Sequence, residues 1–208
     1  MGSTVVLVVR HTDVHNPDNV FYGRLPRFGL SRLGLEQAER TAEYLAGFPI
    51  SAIYTSPQLR ARQTARIIGR RHIGVPLHVT ALLAEVRTSA QGMSFATLGS
   101  YVNIYEPPKA PGDETIPQIF ARMDRLLRRA CREHPGGTVV AVSHADPIMM
   151  LKVGHLGLAL NLANCRGREY PEKGSITQFD FVSGEERPRI SYVDAGRLPQ
   201  LQRAAVTS

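Results

Sequence analysis

Two tripeptides frame the chemistry open to this chain: Val9-Arg10-His11 near its start and Val142-Ser143-His144 in its last third. Each histidine ends an apolar, valine-rich run, residues 4–9 (TVVLVV) and 138–142 (TVVAV), of the kind that forms a strand buried on both faces. In open α/β sheets, ligands bind beyond the carboxyl ends of strands, so both imidazoles would reach one sheet edge and could face one pocket. A lone histidine is more often a satisfied polar residue; the pairing, with Arg10 beside the first, favours a site. A third segment, SPQLRARQTA at residues 56–65, also follows a short strand. Ser56 or the turn at Pro57 opens a helix there, with Arg60 in its first turn, and a helix N-terminus with an arginine beside it favours a bound anion. Arg62 and Arg66 fit a solvated face. The same residues allow a metal reading: His11, Asp13 and His15 crowd the first segment, and His144 with Asp146 could complete a metallohydrolase site. Against it, His72, His78, His134 and His155 are scattered.

The elements that must position these groups follow from periodicity. Ser31 can cap a helix with Leu35, Ala38, Ala42 and Leu45 at helical spacing, ending near residues 47–49. Residues 52–55 read as a strand, 58–71 as a helix with Ala61, Ala65 and Ile68 inward, and 76–80 as a third strand. Residues 85–117 carry no clean period and four breakers, Pro107, Pro108, Pro111 and Gly112, so they read as a long loop with one helical segment. Helical period returns over 116–132, and His134-Pro135-Gly136-Gly137 stops it. Asp146 is expected to cap a helix over 147–158 with Pro147 at its first position. Residues 175–182 and 189–194 alternate polar and apolar and should pair as an edge hairpin. Alternating strands and helices imply an α/β/α sandwich, a mostly parallel central sheet with helices on both faces. No repeat or linker divides it, so residues 1–198 form one domain and 199–208 a mobile tail.

Composition removes other classes. The chain has 208 residues, 43% hydrophobic and 21% charged, ordinary for a soluble globular protein and unlike a disordered or fibrous one. Its net charge of +7 comes from 22 arginines and three lysines against 18 acidic residues. Guanidinium grips phosphate or carboxylate through paired hydrogen bonds, which suits anionic partners. Nucleic acid is not expected, because there is no tryptophan and aromatics are only 7%, too few to interleave a basic stripe. The longest apolar stretch, residues 147–163, is broken by Lys152, His155 and Asn161, so no membrane span is expected. Cys131 and Cys165 lack paired spacing, and the start lacks a basic signal-peptide region; a cytoplasmic, reduced setting is expected.

Arg10-His11-Thr12, SPQLRARQTA, Leu83-Ala84-Glu85 and Val142-Ser143-His144, in that order, with SRLGLEQA at residues 31–38, resemble the histidine phosphatase superfamily, the phosphoglycerate-mutase-like group. The resemblance spans residues 4–150 and implies a phosphoglycerate-mutase-like fold. It implies a catalytic set in which His11 is the nucleophile that becomes phosphohistidine. Arg10, Arg60 and His144 would neutralise the transferring phosphoryl oxygens. Glu85 would protonate the leaving oxygen and later take a proton from water. It implies substrate contacts at Asn16, Gly23 and Ala145, a small phosphorylated substrate, and no metal or cofactor. The chain departs from the family where Thr12 and Ala145 replace glycines and Pro17 replaces an asparagine, leaving Asn16 one place early. Only 59 positions separate Glu85 from His144. That is short for the insertion of the classical mutases, so a phosphatase is expected over mutase-type transfer. A metal-dependent hydrolase, or a non-catalytic module binding sugar phosphates or phosphopeptides, is the rival. The substrate stays open; Arg24, Arg27 and Arg87 could read a second anionic group on it. The edge at 189–194 could pair across a homodimer.

Overall fold

The computed structural model describes residues 3–99, 103–166 and 169–199. Six strands, β1 (Thr4–Arg10), β2 (Ile50–Thr55), β3 (Leu77–Val79), β4 (Thr138–Ser143), β5 (Ile176–Phe181) and β6 (Arg189–Val193), form one sheet in the order β3-β2-β4-β1-β5-β6. The first four run parallel, and β5 and β6 add an antiparallel hairpin at one edge. The helices are α1 (Arg32–Leu45), α2 (Leu59–Gly69), α3 (Phe95–Leu98), α4 (Ile116–Glu133), α5 (Ala145–His155) and α6 (Leu162–Arg166).

Strand residues point alternately to opposite faces, and both faces are covered. Leu7, Val9, Ile53, Val140 and Val142 pack with Ala38, Ala42 and Leu45 of α1 and Ala61, Ala65 and Ile68 of α2. On the other face, Val6, Val8, Tyr54, Val139 and Ala141 meet Met123, Leu126 and Leu127 of α4 and Ile148 and Leu151 of α5. That two-sided burial is why β1 and β4 read as unbroken apolar runs. A third cluster, including Val86, Ile104, Ile116, Met149 and Leu162, lies under the long 85–117 connection.

Local signals set the helix ends. Ser31 accepts from the Gly34 amide at 3.0 Å, and α4 opens on a capping box in which Thr115 and Gln118 satisfy each other's backbone. Helix α5 corrects the expected 147–158 span. It starts at Ala145, because His144 is the extended residue that precedes the first turn. Asp146 sits inside that turn, and both of its oxygens accept tyrosine hydroxyls, from Tyr105 and Tyr170, so it caps nothing. Gly34 has a specific reason to be glycine: a Cβ there would lie 2.0 Å from the Asp13 carbonyl oxygen, so α1 docks directly on the backbone that follows His11. Both cysteines are free. Among the described residues no helix is long and apolar enough to cross a membrane. Of the expected tail, residues 200–208 lie outside the described residues.

Candidate active site

β1 and β4 are adjacent and parallel, with Arg10 in register with Ser143. His11 and His144 are each the next residue. The His11 amide donates to the Ser143 carbonyl at 2.9 Å, which carries the ladder one step past the strands. The rings consequently stand 5.0 Å apart, edge to face, and both are buried. β2 lies on the other side of β4, and its continuation through Ser56 begins α2, which brings Arg60 to the same edge.

The hydrogen bonds fix how each imidazole is protonated. His11 Nδ1 lies 2.8 Å from the Thr12 carbonyl, which only accepts, so Nδ1 carries the proton and Nε2 keeps a lone pair. Arg60 Nε donates toward that Nε2 at 3.2 Å. On His144, Nε2 faces Ser56 Oγ at 2.7 Å; that hydroxyl donates to Gln58 Oε1 at 2.5 Å, so it accepts from His144. His144 Nδ1 then receives Arg60 Nη2 at 3.1 Å. Both histidines titrate well below the usual 6.5, first because burial disfavours the imidazolium and then because Arg60 is beside them. Both are neutral at pH 7.

Arg60 is fully buried. Besides the two imidazoles it holds the Gly23 carbonyl at 2.8 Å and stacks 4.5 Å above the Tyr22 ring. Its Nη1, and the Nε of Arg10, are buried without a protein partner. Arg10 Nη1 is bound to the Pro171 carbonyl at 2.6 Å. Gly23, at φ +42°, lies so close to Gln91 that a Cβ would meet its Cβ at 2.9 Å.

Glu85 follows a short 3₁₀ turn, Ala81–Leu83, and is tied down by its backbone. Its amide donates to Gln58 Oε1 at 3.2 Å, and its carbonyl accepts Arg24 Nε at 2.7 Å. Its Oε2 lies 3.4 Å from His144 Nδ1 and 3.6 Å from Arg60 Nη2. Burial raises its pKa to about 7, against the pull of Arg60 and with the help of the negative Asp146. Removing that like charge should ease ionisation. Asp146→Asn is therefore expected to move the alkaline limb of the pH–rate profile, where Glu85 loses its proton, to lower pH; an unmoved limb would detach Asp146 from Glu85.

A cavity of about 150 Å³ is lined by Arg10, His11, Tyr22, Gly23, Glu85 and Ala145, among others, with Arg60 and His144 in contact with His11 and Glu85 of that lining. The structure thus brings together His11, Glu85, Arg10, Arg60, His144, Gly23 and Ala145. It does not bring in Asn16, whose side chain bonds both the amide and the carbonyl of Val20 and faces a neighbouring hollow. Thr12 is turned away too, its amide directed at Thr64 Oγ1 of α2 at 3.4 Å. The metal constellation of His11, Asp13 and His15 is corrected as well. Asp13 is ion-paired with Lys173 and accepts Ser31 Oγ at 2.5 Å, while His15 is exposed. Ligand atoms of His11, Glu85 and His144 do lie within 4.8 Å of one another. The Arg60 guanidinium already contacts all three, so a metal ion would meet a fixed positive charge at that point. The donor set fits an anion. Arg62, two residues along α2, contributes nothing to the site, and Arg62→Ala is expected to leave kcat/KM within about threefold; a larger loss would reassign the anion-binding arginine.

Sequence reasoning missed Tyr105 and Tyr170 as the groups that hold Asp146, and Gln58 as the link between Ser56 and Glu85. The tyrosines lie in aperiodic segments with no local signal. Gln58 sits inside the SPQLR motif and was available to be weighed.

Known proteins resemble this chain in sequence and fold. The sequence profile of the histidine phosphatase superfamily (branch 1) matches residues 6–192. An uncharacterized protein of Mycobacterium tuberculosis is 35% identical over 156 residues, 72% of this chain and 77% of that protein. The mycobacterial glucosyl-3-phosphoglycerate phosphatase superposes with a TM-score of 0.75 at 25% identity, covering 91% of this chain and 97% of that one. YhfR of Bacillus stearothermophilus reaches 0.80 over 90% and 95%, at 20% identity that speaks to fold alone. With a profile match over nearly its whole length and a relative above 30% identity, this chain belongs to the histidine phosphatase superfamily, branch 1.

Proposed function

We propose that the protein hydrolyses phosphate monoesters of small metabolites through a phosphohistidine on His11 Nε2. In the first step the Nε2 lone pair forms a P–N bond as the ester P–O bond breaks, and the Glu85 carboxyl gives its proton to the departing oxygen. In the second, Glu85 takes a proton from water, the resulting oxygen nucleophile attacks phosphorus, the P–N bond breaks, and inorganic phosphate leaves. Arg10, Arg60 and the first-turn amide of Ala145 would hold the equatorial oxygens, with His144 Nδ1 steadying the Arg60 guanidinium. The observation that carries this reading is the pair of buried guanidinium nitrogens without partners, Arg60 Nη1 and Arg10 Nε. They belong to the two arginines beside an imidazole whose unprotonated Nε2 accepts a hydrogen bond from Arg60 Nε at 3.2 Å. Buried donors normally have acceptors, and a phosphoryl group supplies them.

Hydrolysis is favoured over transfer to a second hydroxyl because the described chain between Glu85 and His144 consists of α3, α4, β4 and connecting loop, with no further inserted element. The glucosyl-3-phosphoglycerate phosphatase relative supports a phosphorylated small molecule as substrate. The test is turnover of p-nitrophenyl phosphate in excess EDTA, with rapid quenching. Metal-independent turnover and an acid-labile, alkali-stable phosphoenzyme are expected. Activity that appears only when a divalent metal is restored would overturn the proposal.

A further inference from the structure

Beside the reaction cavity lies a second compartment of about 250 Å³. Phe21, Phe95, Asp146 and Tyr170 line both, so the two adjoin and share walls. The remainder of the second lining is Ile104, Met149, Met150, Leu162 and Cys165, with Tyr105 and Arg166. Its aliphatic and sulfur-bearing residues belong to the third apolar cluster, formed where the 85–117 connection covers α5. Resting on the phosphatase reading, we propose that this compartment receives the organic part of the substrate, and that this part is an apolar alkyl or aryl group with no second anionic group.

Size and charge both point there. An apolar cavity of about 150 Å³ takes a benzene ring, so this one accommodates a larger ring or a chain of several carbons. Its two charged lining residues among those described, Asp146 and Arg166, are of opposite sign, leaving no net positive charge there to attract an anion. The arginines expected to read a second anion are elsewhere. Arg24 is ion-paired with Glu114, Arg87 Nε is bound to the Gly112 carbonyl, and Arg24, Arg27 and Arg87 line neither compartment. The other neighbouring hollow contains Arg10, Asn16, Asn19 and Lys173. There Lys173 is neutralised by Asp13, and Arg10, whose Nη1 is bound to the Pro171 carbonyl, has its unpartnered Nε assigned to the phosphoryl group, so neither is left to read a second anion.

A series of n-alkyl phosphates tests this with leaving-group basicity held nearly constant, p-nitrophenyl phosphate being run alongside. From ethyl to hexyl phosphate, kcat/KM is expected to rise about 10²-fold, as successive methylenes leave water. A six-carbon phosphate ending in a carboxylate should fall about tenfold or more below hexyl phosphate, because the anion would be desolvated without a partner. Leu162→Gln and, separately, Met150→Gln should each flatten the alkyl series. The ratio of two substrates on one enzyme does not depend on how much of a variant is folded. A flat series, a preference for the carboxylate, or an unchanged slope in both variants would overturn the proposal while leaving the phosphatase reading intact. Absence of any turnover of p-nitrophenyl phosphate would instead remove the reading on which it rests.

Discussion

His11→Ala is expected to lower kcat on p-nitrophenyl phosphate by about 10⁴-fold or more, which is roughly 5.5 kcal/mol of barrier, and to abolish the trapped phosphoenzyme. The size follows from the role. In the proposed mechanism Nε2 is the atom that bonds to phosphorus, and no other described nucleophile stands at that point. His144, 5.0 Å away, is not among the residues lining the cavity, and its Nε2–H is committed to Ser56. The fold should tolerate the change, since the imidazole bonds only to Thr12 and Arg60 while the His11 backbone holds the sheet contact. Circular dichroism and a thermal melt would check that. A variant that still shows a phosphoenzyme would move the nucleophile elsewhere. In the wild type the acid limb of kcat/KM, where His11 gains a proton, should lie well below pH 6.5, because burial and the neighbouring arginines oppose the imidazolium.

The second large effect is selective. Glu85→Gln keeps the size and the Val86 amide contact of the side chain but removes its proton. For an alkyl phosphate, whose alkoxide is a poor leaving group, the loss of kcat should be on the order of 10³-fold, in the range of general acid catalysis. For p-nitrophenyl phosphate, whose phenolate leaves unaided, the first step should slow far less. The Brønsted plot of kcat/KM, which reports the first step and not the water step that Glu85 also serves, should therefore steepen against leaving-group pKa in the variant. Equal slowing across the series would take Glu85 out of the acid role. The wild-type alkaline limb near pH 7 should vanish with it, since Glu85 is active while protonated and its carboxyl is raised to about 7 by burial and Asp146.

Much of this was legible in the chain because it rests on short-range rules. The runs before His11 and His144 are buried on both faces, so they carry a strong apolar signal. Ser31 marks a helix start by its hydrogen-bonding chemistry, and Arg60 was placed by its distance from the end of β2. What was not legible depends on groups far apart in sequence. Asp146 has the composition of a helix cap, but Tyr105 and Tyr170 claim it from 41 and 24 residues away. Asn16 carries the right side chain, yet a local turn with Val20 takes both its donor and its acceptor. β3 is only three residues long and exposed throughout, so no burial pattern sharpened its bounds.

The ladder bond from the His11 amide to the Ser143 carbonyl also divides the site by the cost of opening it. His11 and His144 directly follow central strands, where amide hydrogens exchange only when the whole sheet gives way. Glu85 is held by a side-chain acceptor, Gln58, and by two arginines on its carbonyl, bonds that a local fluctuation can break. In deuterium-labelling terms the phosphoryl-accepting half belongs to the slowest-exchanging core and the proton-donating half to a faster unit. The barrier to rebuilding the acid side, by mutation or by motion, is then far lower than the barrier to disturbing the nucleophile.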